Sequence, residues 1–210
     1  MSEEPTSSSI GQSSDEGLIA VRSNQVTTLE EYFEKGLKIL DPQVIDLLLP
    51  KLREELIALS PVQKQTDAGE RTRIRTIVVI GDENGHVGVG SGKASQVSDS
   101  IAKASRRAKL GMISVRRGCG SWECRCGESH SLPFKVKSRA GSVGIELIPA
   151  PKGVGLVTGD KVRIVLSLAG IRDAWSRSDG STTTSVSAAF AAFNALKRTY
   201  VTPTTGDWGA

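Results

Sequence analysis

Three cysteines and a histidine fall within twelve residues of this 210-residue chain, as Cys119-x4-Cys124-x-Cys126-x3-His130. Thiolate and imidazole are the donors that close a tetrahedral structural zinc site, and four of them suffice. The spacing departs from paired C-x2-C knuckles, and C-x-C strains a tetrahedron, so unligated buried thiols are the competing reading. A cysteine nucleophile would need a base that a third group orients. Only His86 and His130 could serve, and Glu128 is the one evident orienting carboxylate. An odd, local set of cysteines also points to a reducing, cytosolic compartment rather than to a disulfide framework.

Gly92-Lys93 stands ahead of a helical pattern, where backbone N–H groups and the lysine could meet a phosphate. The nucleotide motifs nevertheless fail on spacing. A phosphate-binding loop needs glycine five positions before that pair and Ser or Thr after it, and Val87 and Ala94 stand there. Gly88-x-Gly90 and Gly153-x-Gly155 lack the third glycine of a dinucleotide fingerprint, having Lys93 and Thr158 instead. Asp82, Glu83, Asp160, Asp173 and Asp179 each sit in a turn or cap context, not as a convergent acid–base pair.

The cations are more telling. Arg71, Arg73 and Arg75 recur every second residue, so they share one face of a strand. They face either solvent or anions, and phosphate suits guanidinium geometry. From Val97 the period becomes helical, and Lys103, Arg106, Arg107 and Lys109 follow with no acid after Asp99. Arg116 and Arg117 end the next strand. Residues 1–60 carry a net charge of −6 and the rest +10. A basic body of this kind suggests a nucleic-acid partner, the plain alternative being a soluble basic protein without one. Aromatics make up only 4% of the chain, which argues against a base-stacking platform and for contact with phosphate and shape. The candidate contacts are Arg71, Arg73, Arg75, Lys93, Lys103, Arg106, Arg107, Arg116 and Arg117.

The elements that would hold these residues read as follows. Residues 1–24 are acidic and Ser-rich, with no core and no signal-peptide pattern, and are expected to be a disordered tail. Residues 25–53 form a helical extension. One helix over 27–40 is capped by Thr28 and Glu31, and a second opens at Asp41-Pro42. Residues 54–117 read as strand, loop, strand, turn, strand, helix, strand. Their strands fall at 56–66, 72–80, 86–90 and 112–117, with a polar loop at Asp67–Arg71. An irregular cysteine-bearing loop covers 118–131. Residues 132–200 hold strands at 132–136, 143–147 and 171–176 and a helix over 186–199. The stretch 162–168 could be strand or helix, though its spacing is helical and Gly170 suits a helix cap. Residues 201–210 read as a frayed tail.

The segment IVVIGDENGHVGVGSGKASQVSDSIAKASRRAK resembles the signature of the universal small-subunit ribosomal protein S-five family. GSVGIELIPAPKGVGLVTGDKVRIVLSLAGIRDAW and SVSAAFAAFNALK resemble its C-terminal domain, and the likeness runs from about Arg53 to Thr199. The cysteine loop and acidic front are similar to the archaeal and eukaryotic branch. The resemblance implies an α+β fold of two modules. The first is a double-stranded-RNA-binding-like domain, and the second has a left-handed β-α-β crossover against the usual hand. It implies a non-enzymatic component of the small subunit that binds 16S-type rRNA near the decoding region. It further implies contact with ribosomal proteins S-four and S-eight, a place beside the path by which mRNA enters, and support of translational accuracy. The family's rRNA-reaching loop falls on Asp67–Arg73, where Asp67 and Glu70 shift weight to Arg71 and Arg73. Two alternatives stand beside it. PAPKGVGLVTG loosely resembles the glycine loop of small-molecule kinases, and a zinc-dependent RNA-binding protein could act outside the ribosome.

Overall fold

The computed structural model describes residues 18–19, 21–23, 26, 28–124 and 126–201. The tail expected over 1–24 therefore lies outside the described residues except at 18–19 and 21–23, and the one over 201–210 does so beyond 201. The chain divides after Leu52 into two units.

In the first unit, residues 18–19 and 21–22 are helical, followed by α1 (Leu29–Glu34) and α2 (Pro42–Leu48). Val21, Val26, Tyr32 and Val44 form a small buried cluster. The capping box is present, with Glu31 N–H on Thr28 Oγ1 and Thr28 N–H on Glu31 Oε2, both at 3.4 Å. The helix expected to reach residue 40 stops at Glu34. Gly36, at φ +69°, ends it in a left-handed cap in which Leu37 N–H reaches Tyr32 O and Gly36 N–H reaches Phe33 O.

The second unit begins with a four-stranded antiparallel sheet in the order β1 (Arg53–Thr66), β2 (Gly69–Gly81), β3 (His86–Ala94), β4 (Ile113–Ser114). The helix α3 (Val97–Leu110) packs on β3 and β2. Ile77-Val78-Val79-Ile80 is wholly apolar because this sheet is buried on both faces. Ile77, Val79, Val87 and Val89 join a core shared with the C-terminal module. Thr76, Val78 and Ile80 pair with Gly92, Gly90 and Gly88 on the other face, beneath α3. Gly88, Gly90 and Gly92 thus form a glycine stripe facing a helix. A Cβ at Gly88, Gly90 or Gly92 would run into the backbone of α3 at Ala108, Ala104 or Ser100. Lys93 accordingly lies within a strand, not at a helix N-terminus.

The β2–β3 turn is organised by Asp82. Its Oδ1 accepts N–H bonds from Asn84 at 2.8 Å and His86 at 3.0 Å, and its Oδ2 lies 2.6 Å from His86 Nδ1. Burial pushes this carboxyl up, but the bonds from His86 and Asn84 outweigh it and hold it below the ordinary range. A depressed folded value gives stability that is present above the unfolded value and lost as pH falls. Asp82→Ala is expected to cost about 1–3 kcal/mol at neutral pH. That difference should shrink in urea melts taken below about pH 3.9.

The C-terminal module has β5 (Val136–Ala140), β6 (Val143–Pro149), β8 (Ala174–Asp179) and β7 (Leu156–Val157) in that spatial order. Only β7 is parallel to its neighbour, β8. With α4 (Asp160–Leu168) it makes the β-α-β unit on which the family crossover is expected. The last helix, α5 (Ser185–Val201), packs on β5, β6 and α4. The ambiguous stretch 162–168 is helical, and Gly170 caps it at φ +78°.

Three strands differ from the sequence reading because other bonds claim their ends. The strand expected over 112–117 shrinks to Ile113–Ser114, since Val115 N–H turns to Gly85 O and Arg116 N–H to Thr199 Oγ1. β5 starts at Val136 because Ser131 and Leu132 bond to Gly118 and Gly120 instead. β8 starts at Ala174, as the N–H groups of Arg172 and Asp173 are taken by His130 O. The two modules are joined by hydrogen bonds to backbone carbonyls as well as by core. Glu83 N–H meets Leu168 O at 3.0 Å, and Lys161 Nζ meets Ile57 O at 3.1 Å.

Candidate nucleic-acid interface and cysteine–histidine cluster

β3 pairs β2 only from Ile74 to Gly81, so residues 62–66 of β1 and 69–73 of β2 pair with each other alone. They form an arm that runs beyond the core, and its tip is the two-residue turn at 67–68. Opposed residues of an antiparallel pair share a face. The register sets Lys64 opposite Arg71, Val62 opposite Arg73, Ser60 opposite Arg75, and Arg75 opposite Lys93. Lys64, Thr66, Arg71, Arg73 and Lys93 thereby surround Val62 in a shallow hollow of 200 Å³. The four cations are exposed, and Arg75 is half-buried behind them. Among the described residues no carboxylate pairs with any of the five. Glu70 lies on the opposite face, across from Gln65. Such a face attracts phosphate from several sides at once.

Lys64 was missed in the sequence. A five-residue loop at Asp67–Arg71 hides the pairing, whereas a two-residue turn closed by Gly69 at φ +112° brings Lys64 opposite Arg71.

The other candidates lie elsewhere. Lys103 and Arg106 are exposed on α3, which covers the opposite face of the sheet. Arg107 Nη1 donates to Ser91 O at 2.7 Å. The Arg116 guanidinium stacks on Tyr200, 5.6 Å from the ring centre. Arg117 Nη2 donates to Asn84 O and Oδ1 at 2.8 and 2.7 Å, tying the β2–β3 turn to the inter-module segment. These three guanidiniums have structural bonds to keep. A cleft of 620 Å³ in the C-terminal module is lined by Lys137, Arg139, Arg177 and Arg198 together with Glu146 and Asp179. Lys137 and Arg139 alternate along β5 and could have been read as a basic strand face.

The cysteine loop closes on itself. Cys124 Sγ lies 3.3 Å from Cys126 Sγ and 3.6 Å from His130 Nε2, and Cys126 Sγ lies 3.6 Å from Cys119 Sγ. All four donor atoms fall within 4.8 Å of one another. The backbone N–H groups of Lys152 and Cys126 aim at the Cys124 sulfur and bring its thiol down to about 6. Partial burial and the Cys124 and Cys126 sulfurs push Cys119 up to about 11. Asp173, buried, takes His130 Nδ1 on Oδ2 at 2.8 Å. Its Oδ1 accepts the N–H groups of Gly153 at 3.0 Å and Gly155 at 2.8 Å. Those are the N–H groups a kinase-like glycine loop would offer to phosphate, and a carboxylate already occupies them.

The family model described as ribosomal protein S5, N-terminal domain, matches residues 52–116, and that for its C-terminal domain matches residues 138–203. The small ribosomal subunit protein uS5 of Hyperthermus butylicus is 53% identical over 189 residues, which is 90% of this chain and 89% of that one. The chain belongs to the ribosomal protein S5 family. The uS5 proteins of Pyrobaculum calidifontis and Sulfolobus acidocaldarius are 52% and 50% identical, over 86% and 90% of this chain and 89% and 88% of theirs. S5 proteins are structural ribosomal proteins, not enzymes, which removes the kinase-like alternative. The two-module α+β architecture is that of the S5 fold. The cysteine loop falls between the two matched S5 segments.

Proposed function

We propose that this chain is a structural component of the small ribosomal subunit that grips 16S-type rRNA with the basic face of its β1–β2 arm. The observation that carries the reading is that face: Lys64, Arg71, Arg73, Arg75 and Lys93 converge without a carboxylate partner among the described residues. It projects from a chain about half identical to proteins named for the small subunit. Phosphate contacts from an arm position a protein on folded RNA, and the 2′-hydroxyl-rich shallow groove is within reach of such side chains. Lys103 and Arg106 on α3 provide a second contact on the other face of the sheet.

In this reading residues 25–53 are an extension, 54–117 the double-stranded-RNA-binding-like domain, 118–131 the cysteine loop and 132–200 the C-terminal domain. The family likeness supports a site near the decoding region and beside the path of entering mRNA. It also supports neighbours S-four and S-eight, a contribution to translational accuracy, and residence in the cytoplasm within ribosomes. No helix among the described residues is long and apolar enough to cross a membrane.

Sedimentation of a cell extract separates this reading from an RNA-binding protein acting off the ribosome. The chain is expected to travel with small subunits and to stay with them through a high-salt wash. Recovery mainly in the ribosome-free fraction would contradict the proposal.

A further inference from the structure

We propose that Cys119, Cys124, Cys126 and His130 hold one structural zinc ion at the junction of the two modules, with Asp173 positioning the histidine. A tetrahedron with zinc–sulfur bonds of about 2.3 Å and a zinc–nitrogen bond of about 2.0 Å has edges of about 3.8 and 3.5 Å. The contacts between donors measure 3.3, 3.6 and 3.6 Å, so the loop already has the shape of a coordination shell. The sulfurs are too far apart for a disulfide, whose bond is about 2.05 Å. Three thiolates and an imidazole are soft donors. They select zinc over the oxygen-loving divalent cations, and four protein ligands leave no open position for catalysis.

The surroundings point the same way. His130 Nδ1 faces the Asp173 carboxylate and Nε2 faces the thiols, so the lone pair is directed into the cluster. A carboxylate in that position is the outer partner that metal-bound histidines commonly have. The loop also needs a centre of its own. It leaves the fold at Gly118 and returns at Ser131, two residues that exchange N–H···O bonds of 2.8 and 2.9 Å. Between them only Ser121 and His130 are buried among the described residues, while Trp122 is 89% exposed. An excursion with so little core is one that a bound metal would stabilise.

Bound there, the ion connects two distant parts of the chain. Asp173 immediately precedes β8 and fixes the Gly153 and Gly155 turn, and the Lys152 N–H meets Cys124. Glu128 and Lys152 add an ion pair across the same contact, at 2.7 Å. The zinc therefore clamps the linker between the modules onto the Pro149–Gly155 turn, and fixes the path of the chain from one module to the next.

The test uses the full chain purified from zinc-replete cells without added chelator. Elemental analysis is expected to find about one zinc per chain. Cobalt exchanged into the site should give the visible absorption of a tetrahedral cobalt–thiolate centre. Cys126→Ser should lose stoichiometric zinc. Asp173→Asn should keep the fold but weaken zinc about 10- to 100-fold in competition with a chromophoric chelator, and shift the cobalt spectrum. A role for Asp173 confined to the glycine turn would change stability and leave both readouts unmoved. Should Cys126→Ser fail to fold, the wild-type chain decides. Its three thiols should react slowly with an alkylating reagent and rapidly after chelation. A chain that purifies without metal or with iron, or whose thiols react at one rate with and without chelator, overturns the proposal.

Discussion

Gly90→Val is expected to lose more than about 3 kcal/mol of stability, or to prevent the soluble chain from accumulating. The result runs against local preference. Gly90 lies in the middle of β3, where valine is the better strand former by up to roughly 1 kcal/mol. Packing reverses the sign. Gly90 faces α3, and a Cβ built on it would meet Ala104 O and the Ala108 backbone far inside contact distance. Those atoms belong to a helix backbone, which cannot turn aside as a side chain would. Gly88 and Gly92 meet the same helix one turn on either side, opposite Ala108 and Ser100. Glycines at every second strand position therefore lie against small residues at every fourth helix position, and helix and sheet meet at backbone distance. Gly159→Ala provides the control. Gly159 is the N-cap of α4 at φ −62° with open space around it, so its change should cost no more than about 1 kcal/mol. Urea denaturation of the two variants beside the wild type reads the difference. A Gly90→Val chain as stable as wild type would mean that the helix does not sit where this packing requires.

The same glycines show what the sequence could and could not reveal. Their period of two is visible, but which surface the glycine face meets is not until the helix is placed. Ile77 to Ile80 was legible as a buried strand because four consecutive apolar residues need cover on both sides. Gly36 stops the helix expected over 27–40, and only the backbone bonds of Leu37 and Gly36 make that plain. The cysteine spacing identified the four donors. Asp173, 43 residues beyond His130, could not be tied to them without the fold. Among the cations, Arg71, Arg73 and Arg75 were found by strand period. Arg107 and Arg117 look the same in sequence, yet each has a carbonyl to bind.

That distinction leads to the second large effect, the reversal of charge on the arm. Arg71→Glu, Arg73→Glu and Lys93→Glu change three exposed side chains that have no ion-pair partner among the described residues. None contributes to the core, so the variant should melt close to wild type. Each replacement removes a phosphate contact and sets a carboxylate against RNA. Affinity for small-subunit rRNA should fall on the order of 100-fold or more at moderate salt. Reversal of Arg107 or Arg117 would confuse the comparison, because each change also breaks a bond within the protein.

Filter binding of the wild type and the triple variant to whole small-subunit rRNA, across a series of salt concentrations, tests the arm directly. Released counterions set the slope of log affinity against log salt. Loss of three contacts should flatten that slope by about 2 to 3 and lower affinity throughout the low-salt range. A folded triple variant with the slope and affinity of wild type would contradict the assignment of rRNA binding to this arm.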